Sequence, residues 1–140
     1  MTVGFLIDTN VLSEVRKGAR ANPGVRRFFA DVDDDLLRVS VLSCGEIRKG
    51  VELLRARDAR TANVLDRWLA GLERDFAARI LSVDAVVADT WGKLDALGPV
   101  PAIDGLLAAT ALVHDLTLVT RNVRHVRRTG ATVMDPFAAR

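Results

Sequence analysis

The sequence lacks the features that mark exported or membrane-spanning proteins. Its apolar runs fall far short of the roughly 20 residues that cross a bilayer. Its first residues also lack the basic-then-apolar order of a signal peptide. A single cysteine, Cys44, excludes an internal disulfide. Together these absences predict a protein of the reducing cytoplasm with no membrane partner.

Two common kinds of phosphate chemistry are disfavoured because their residues are missing. The chain contains no glycine-rich loop ending in Lys-Ser or Lys-Thr, as a nucleotide-binding switch would require. Its only lysines are Lys17, Lys49 and Lys93. None of them follows a late predicted strand, where a phosphate-accepting receiver domain needs one.

The composition indicates one globular domain over residues 1–140. Of the 140 residues, 49% are hydrophobic and 27% are charged, and no repeat, low-complexity stretch or linker interrupts them. The net charge of +2 is too small to indicate a nucleic-acid partner by itself. The distribution of charge is more informative, because four arginines cluster near the C-terminus: Arg121, Arg124, Arg127 and Arg128.

Short apolar segments alternate with helical patterns along the chain. Strands are predicted at residues 3–7, 36–40, 80–83, 116–120 and 131–134. The first helix is expected to follow a cap at Thr9 or Asn10, and later helices to begin near Pro23, Ser43, Asp58, Asp84 and Ile103. This alternation predicts an α/β fold around a mostly parallel sheet of about five strands.

Several polar residues are expected at one edge of that sheet. Asp8 follows the first strand, and Thr120 and Asn122 end or follow the fourth. Glu46 is predicted in the first turn of the helix leaving the second strand, and Asp104 in the first turn of the helix entering the fourth. Ligands of open α/β sheets collect at the carboxyl ends of the strands, so this edge is the predicted site.

Three carboxylates in one cleft repel one another unless a cation lies among them. Hard oxygen ligands without a Cys or His partner favour Mg²⁺ or Mn²⁺ over zinc. Such ions activate water and neutralise a phosphoryl group during in-line displacement. The three acids together therefore predict phosphodiester hydrolysis.

Each acid taken alone also has a structural interpretation. Ser43 and Glu46 match a capping box. Asp104 matches an ordinary acid favoured by the dipole of the helix it begins. Asp8 matches a helix cap, although an acid directly after a buried strand is costly without partners. The functional interpretation depends on the three acids together.

Three motifs carry a resemblance to a known family: "LIDTNVLSE", "SVLSCGEIRKG" and "PAIDGLLAATALVHDLTLVTRN". They resemble the PIN domain family, and especially its VapC branch, the toxins of bacterial type II toxin–antitoxin (VapBC) pairs. The likeness runs from Asp8 nearly to the end of the chain. It implies a PIN-like α/β/α sandwich and a Mg²⁺- or Mn²⁺-dependent endoribonuclease with its acidic site at Asp8, Glu46 and Asp104. It also implies that cleavage of tRNA or ribosomal RNA inhibits translation.

The same resemblance implies particular partners. Family members commonly form homodimers and are neutralised by a VapB-type antitoxin, giving heterotetramers or larger assemblies. The antitoxin's tail wraps the toxin and often places a basic side chain in the acidic site. Its N-terminal part binds promoter DNA, so contact with DNA is expected only through the antitoxin.

The sequence departs from the family at a fourth acidic position, where it has Asn122 and His125. An asparagine carbonyl still ligates metal directly or through water, but histidine is a poor ligand for Mg²⁺. The loss of one negative charge predicts weaker metal binding and favours one well-held ion over two.

The resemblance and the residues together suggest specific roles. Asp8 and Asp104 are expected to ligate the metal, Glu46 to act through a water, and Asn122 to complete the outer sphere. Hydrogen bonds from Thr9, Asn10 and Thr120 are expected to hold the carboxylates. The four C-terminal arginines either contact RNA phosphates or form a solvated basic face.

Two further functions remain open at this point. Without the fourth acid, the protein would bind RNA or its antitoxin and cleave weakly or not at all. A structure-specific DNA nuclease shares the same site logic, but the short chain lacks obvious additional DNA-binding elements.

Overall fold

The central element is a five-stranded parallel sheet. The computed structural model describes residues 4–138, so position 3 of the predicted first strand lies outside them. The sheet has the order β3-β2-β1-β4-β5, and every neighbouring pair is parallel. The strands are β1 Phe5–Ile7, β2 Leu37–Ser40, β3 Ile80–Leu81, β4 Thr117–Val119 and β5 Val133–Met134. The predicted α/β class and parallel sheet are confirmed.

Seven α-helices are present among residues 4–138. They are α1 Thr9–Val15, α2 Pro23–Asp31, α3 Val41–Arg55, α4 Ala59–Asp75, α5 Ala85–Leu97, α6 Ala102–Val113 and α7 Val123–Val126. Local caps explain several of their starts. The Asn22 side chain accepts hydrogen bonds from the Gly24 and Val25 amides, and Pro23 occupies the first helical position.

The prediction for α3 was wrong at its N-terminus. The helix begins at Val41, directly after β2, and the Ser40 side chain accepts the Leu42 N–H at 3.0 Å. Ser43 is therefore a buried residue inside the helix, and it is not the cap of a capping box. Glu46 consequently lies in the second turn of α3, one turn later than predicted.

The sheet separates two apolar layers. Ile7 and Val119 face the core formed with α1 to α4. Their neighbours Leu6 and Leu118 face the opposite core, formed with α6 and α7. Strand residues alternate between faces, so each central strand is buried on both sides, as an α/β/α sandwich requires. No helix among residues 4–138 is long and apolar enough to cross a membrane.

Candidate active site

Asp8 connects the end of β1 to the start of α1. Its amide donates to the Val119 carbonyl at 2.9 Å, and its carbonyl accepts from the Val11 and Leu12 amides. It is thus the N-cap of α1, where Thr9 or Asn10 had been predicted. The side chain is only 4% exposed, so the fold buries a carboxylate at the carboxyl edge of the central strand.

Three side chains or amides hold the Asp8 carboxylate. Oδ1 accepts the Thr9 N–H at 2.7 Å. Oδ2 accepts the Thr120 hydroxyl at 2.7 Å and the Asn10 amide nitrogen at 3.3 Å. The Asn10 carbonyl oxygen accepts the Arg121 N–H at 3.2 Å, so Asn10 joins the ends of β1 and β4. These bonds fix the carboxylate at the predicted edge.

Glu46 approaches the same edge from α3. The Thr9 hydroxyl donates to Glu46 Oε1 at 2.6 Å, which links the acid to the first residue of α1. Glu46 also borders two open clefts of about 520 and 220 Å³. The larger cleft is otherwise lined mainly by α3 and by Ile103, the neighbour of Asp104. Solvent and a substrate therefore have access to this acid.

Asp104 lies in the first turn of α6, as predicted. Its side chain is 13% exposed, and its Oδ2 is 2.7 Å from Nδ1 of His125, a residue of α7. The next residue, Gly105, fixes the position of this turn. A Cβ atom there would lie 3.0 Å from Val100 Cγ2 and 3.1 Å from the Trp91 ring, so only glycine allows the observed packing.

The electrostatics of Asp8 reflect its neighbours. Burial is the largest influence and raises the pKa of Asp8 above its usual 3.8, while the bonds from Thr120 and Thr9 lower it. The negative charges of Asp104 and Glu46 raise the pKa further. The three predicted acids therefore interact electrostatically, and a bound cation would relieve the resulting repulsion.

The donor set suits a hydrated divalent ion. Within residues 4–138, no three His, Cys, Asp or Glu side chains are spaced to enclose one ion. Mg²⁺ and similar ions commonly keep several waters and use only one or two protein carboxylates. Asp8 and Asp104 supply hard oxygens, and only one hydrogen bond reaches Oδ1 of Asp8. These residues fit an ion that retains most of its water.

The remaining predicted residues are arranged less uniformly. Asn122 precedes α7, and its amide donates to the Thr120 hydroxyl at 2.9 Å. The Arg121 guanidinium stacks on the Phe137 ring at 4.4 Å, and Arg128 donates to the Pro99 carbonyl at 2.8 Å. The other two predicted RNA-contacting residues, Arg124 and Arg127, are exposed.

The contact between His125 and Asp104 was missed by the sequence analysis. His125 had been noted only because it occupies a position that is often acidic. The two residues are 21 positions apart, and the helix α7 that carries the histidine is only four residues long and was not predicted. The available signal was the position of His125 three residues after Asn122.

Comparisons with known proteins agree with this geometry. The PIN domain family matches residues 5–131. Toxin FitB of Neisseria gonorrhoeae is 33% identical, with 95% of this chain and 98% of that protein covered. VapC ribonuclease Y4jK of Sinorhizobium fredii is 27% identical, with 95% and 97% covered.

Solved structures give the same result. The crystal structure of FitAcB from N. gonorrhoeae superimposes with a TM-score of 0.87 at 30% identity, covering 96% of this chain and 99% of the other. A structure of FitAB bound to the IR36 DNA fragment gives 0.86 at 29% identity, with 97% of each chain covered. The chain therefore belongs to the PIN domain family.

Proposed function

We propose that this protein is a divalent-metal-dependent endoribonuclease and the toxin of a toxin–antitoxin pair. One observation carries the proposal: a buried carboxylate, Asp8, interacts electrostatically with Asp104 and Glu46 at the carboxyl edge of the sheet. Membership of the PIN family and the relative named VapC ribonuclease support nuclease activity.

Each residue has a defined task in this proposal. Asp8 and Asp104 would hold the ion, Mg²⁺ or Mn²⁺, which supplies charge neutralisation at the scissile phosphate and lowers the pKa of a water when bound. Glu46 orients the attacking water. Thr9, Asn10 and Thr120 hold the carboxylates of Glu46 and Asp8 through the bonds described above. Asn122 completes the outer sphere.

RNA is the proposed substrate, with tRNA and ribosomal RNA as its classes. Cleavage of either would inhibit translation. Arg124 and Arg127 are exposed beside α7 and are the proposed phosphate contacts. Arg121 and Arg128 contribute less, because their guanidinium groups already contact Phe137 and Pro99.

An antitoxin is the proposed regulatory partner. The neighbouring structures include FitAB bound to a DNA fragment and a VapBC complex from Haemophilus influenzae. By analogy, a VapB-type protein would neutralise this chain and carry the pair to promoter DNA. A homodimer of the chain would assemble with it into a heterotetramer or larger complex in the cytoplasm.

The test of the activity is cleavage of total tRNA and ribosomal RNA by purified protein free of antitoxin. The reaction is run with Mg²⁺, with Mn²⁺ and with EDTA. Discrete fragments are expected with metal only, and Asp8→Asn should abolish them. Asp31→Asn is the matched control, because Asp31 is an exposed acid at the end of α2. Cleavage that persists in Asp8→Asn would refute the proposed site.

A specific observation favours a second candidate function. His125 occupies one oxygen of Asp104, and Asn122 and His125 replace acids of the family pattern. A protein with this site would bind RNA or antitoxin with little or no cleavage. Under that alternative, folded wild-type protein binds RNA but gives no metal-dependent fragments, and Asn122→Asp or His125→Asp restores them.

A further inference from the structure

The imidazole of His125 lies beside a proposed metal ligand. Its Nδ1 is 2.7 Å from Asp104 Oδ2, and its side chain is 48% exposed. The ring is anchored by its own helix, where the neighbouring Val126 is 1% exposed and packs into the core. An ion arriving from solvent would therefore meet a nitrogen and an oxygen donor held side by side.

The separation of these two atoms is close to that of two ligands on one ion. Two donor atoms at right angles on an octahedral ion, each about 2.1 Å away, lie about 3 Å apart. The observed 2.7 Å needs only a few tenths of an ångström of adjustment. The hydrogen bond between His125 and Asp104 thus occupies a place that a shared ion can take.

We propose that His125 is a metal ligand that makes this site select Mn²⁺ over Mg²⁺. Imidazole nitrogen binds first-row transition ions and is a poor ligand for Mg²⁺, whereas a carboxylate suits both ions. The inference rests on the proposed metal site at Asp8 and Asp104 and adds a nitrogen donor to it. The replacement of an acid by His125 then changes the identity of the preferred ion, and does not merely weaken the site.

The test is equilibrium binding of Mn²⁺ to metal-free protein, measured by the electron paramagnetic resonance signal of free Mn²⁺, with Mg²⁺ as competitor. Each protein yields a ratio of Mn²⁺ to Mg²⁺ affinity. His125→Ala and His125→Gln should lower that ratio about tenfold, within the range typical of changes around metal sites. His125→Asp should lower it by tightening Mg²⁺ binding. His114→Ala is the matched control, because it alters the only other histidine, and it should leave the ratio unchanged.

Two outcomes overturn the inference in distinguishable ways. If Asp8→Asn abolishes binding but the ratio is the same in wild type and His125→Ala, the metal site stands and His125 is not a ligand. A ratio retained in His125→Gln has the same consequence, because glutamine keeps a donor for Asp104 without the imidazole. If wild type binds neither ion, or Asp8→Asn binds both as wild type does, the proposed metal site itself fails. Circular dichroism confirms that each variant is folded.

Discussion

Thr120 offers the sharpest test of how the fold holds its buried carboxylate. Its hydroxyl donates to Asp8 Oδ2 at 2.7 Å and accepts the Asn122 N–H at 2.9 Å, and the residue is 1% exposed. Thr120→Val keeps the shape of the side chain and removes both bonds. The change should therefore report on hydrogen bonding rather than on packing.

The expected loss follows from these two bonds. A hydrogen bond to a charged group contributes about 1.5–3 kcal/mol and a neutral one about 0.5–1.5 kcal/mol. The added methyl group returns roughly 0.8 kcal/mol of apolar burial. Thr120→Val should therefore lower the free energy of unfolding by about 2–3 kcal/mol in metal-free protein near neutral pH.

The pH dependence separates this bond from an ordinary one. The Thr120 bond favours ionised Asp8 and lowers its pKa, so its removal raises that pKa further. The stability deficit of the variant is then full above the folded-state pKa of Asp8 and shrinks as the pH falls through it. Urea denaturation followed by circular dichroism, in EDTA across this pH range, measures the deficit.

Thr110→Val is the matched control for this experiment. Thr110 is also fully buried, and its hydroxyl donates at 2.8 Å to the neutral carbonyl of Leu106. Its deficit should be smaller and independent of the pKa of Asp8. If the two variants lose equal stability with the same pH profile, Thr120 does not hold an ionised carboxylate and the reasoning is refuted.

Three other predictions follow from the same structure. Since burial raises the pKa of Asp8, this group costs the metal-free protein stability as the pH rises from the usual 3.8 through the folded-state pKa; the stability of Asp8→Asn relative to wild type, measured by urea denaturation, should increase over that range, and a constant difference would contradict it. Gly105→Ala should cost about 1–3 kcal/mol because its Cβ would crowd Trp91, whereas Gly45→Ala, in open space within α3, should add up to about 1 kcal/mol; equal effects in thermal melts would refute the packing argument. In an Asp8→Asn background, Arg124→Ala should weaken RNA binding in fluorescence anisotropy more than Arg121→Ala, whose side chain stacks on Phe137; the reverse order would exclude the proposed contact.

The architecture of the site was largely predictable because it depends on connection rules. The alternation of strands and helices dictates a parallel sheet, and parallel strands bring their carboxyl ends to one edge. This placed Asp8 near Thr120 from residues 112 positions apart, which the structure joins by a hydrogen bond. The first-turn position of Asp104 was also confirmed.

The errors arose where local signals compete. Ser40 and Ser43 are both plausible caps, and the end of β2 decides for Ser40 because its extended backbone leads directly into the helix. Asp8 takes the capping position from Thr9 and Asn10 for the same reason. The pairing of His125 with Asp104 depends on the packing of α6 against α7, and short-range sequence patterns carry no information about that contact.

The central claim is that Asp8, with Asp104 and Glu46 nearby, is placed to bind a divalent cation. The most direct measurement is the free energy of unfolding of wild type and Asp8→Asn, with EDTA and with saturating Mn²⁺. Wild type should gain about 2.7 kcal/mol at a Mn²⁺ concentration of 100 times the dissociation constant, and Asp8→Asn should gain almost nothing. An equal gain in both proteins would show that the cation binds elsewhere and would contradict the claim.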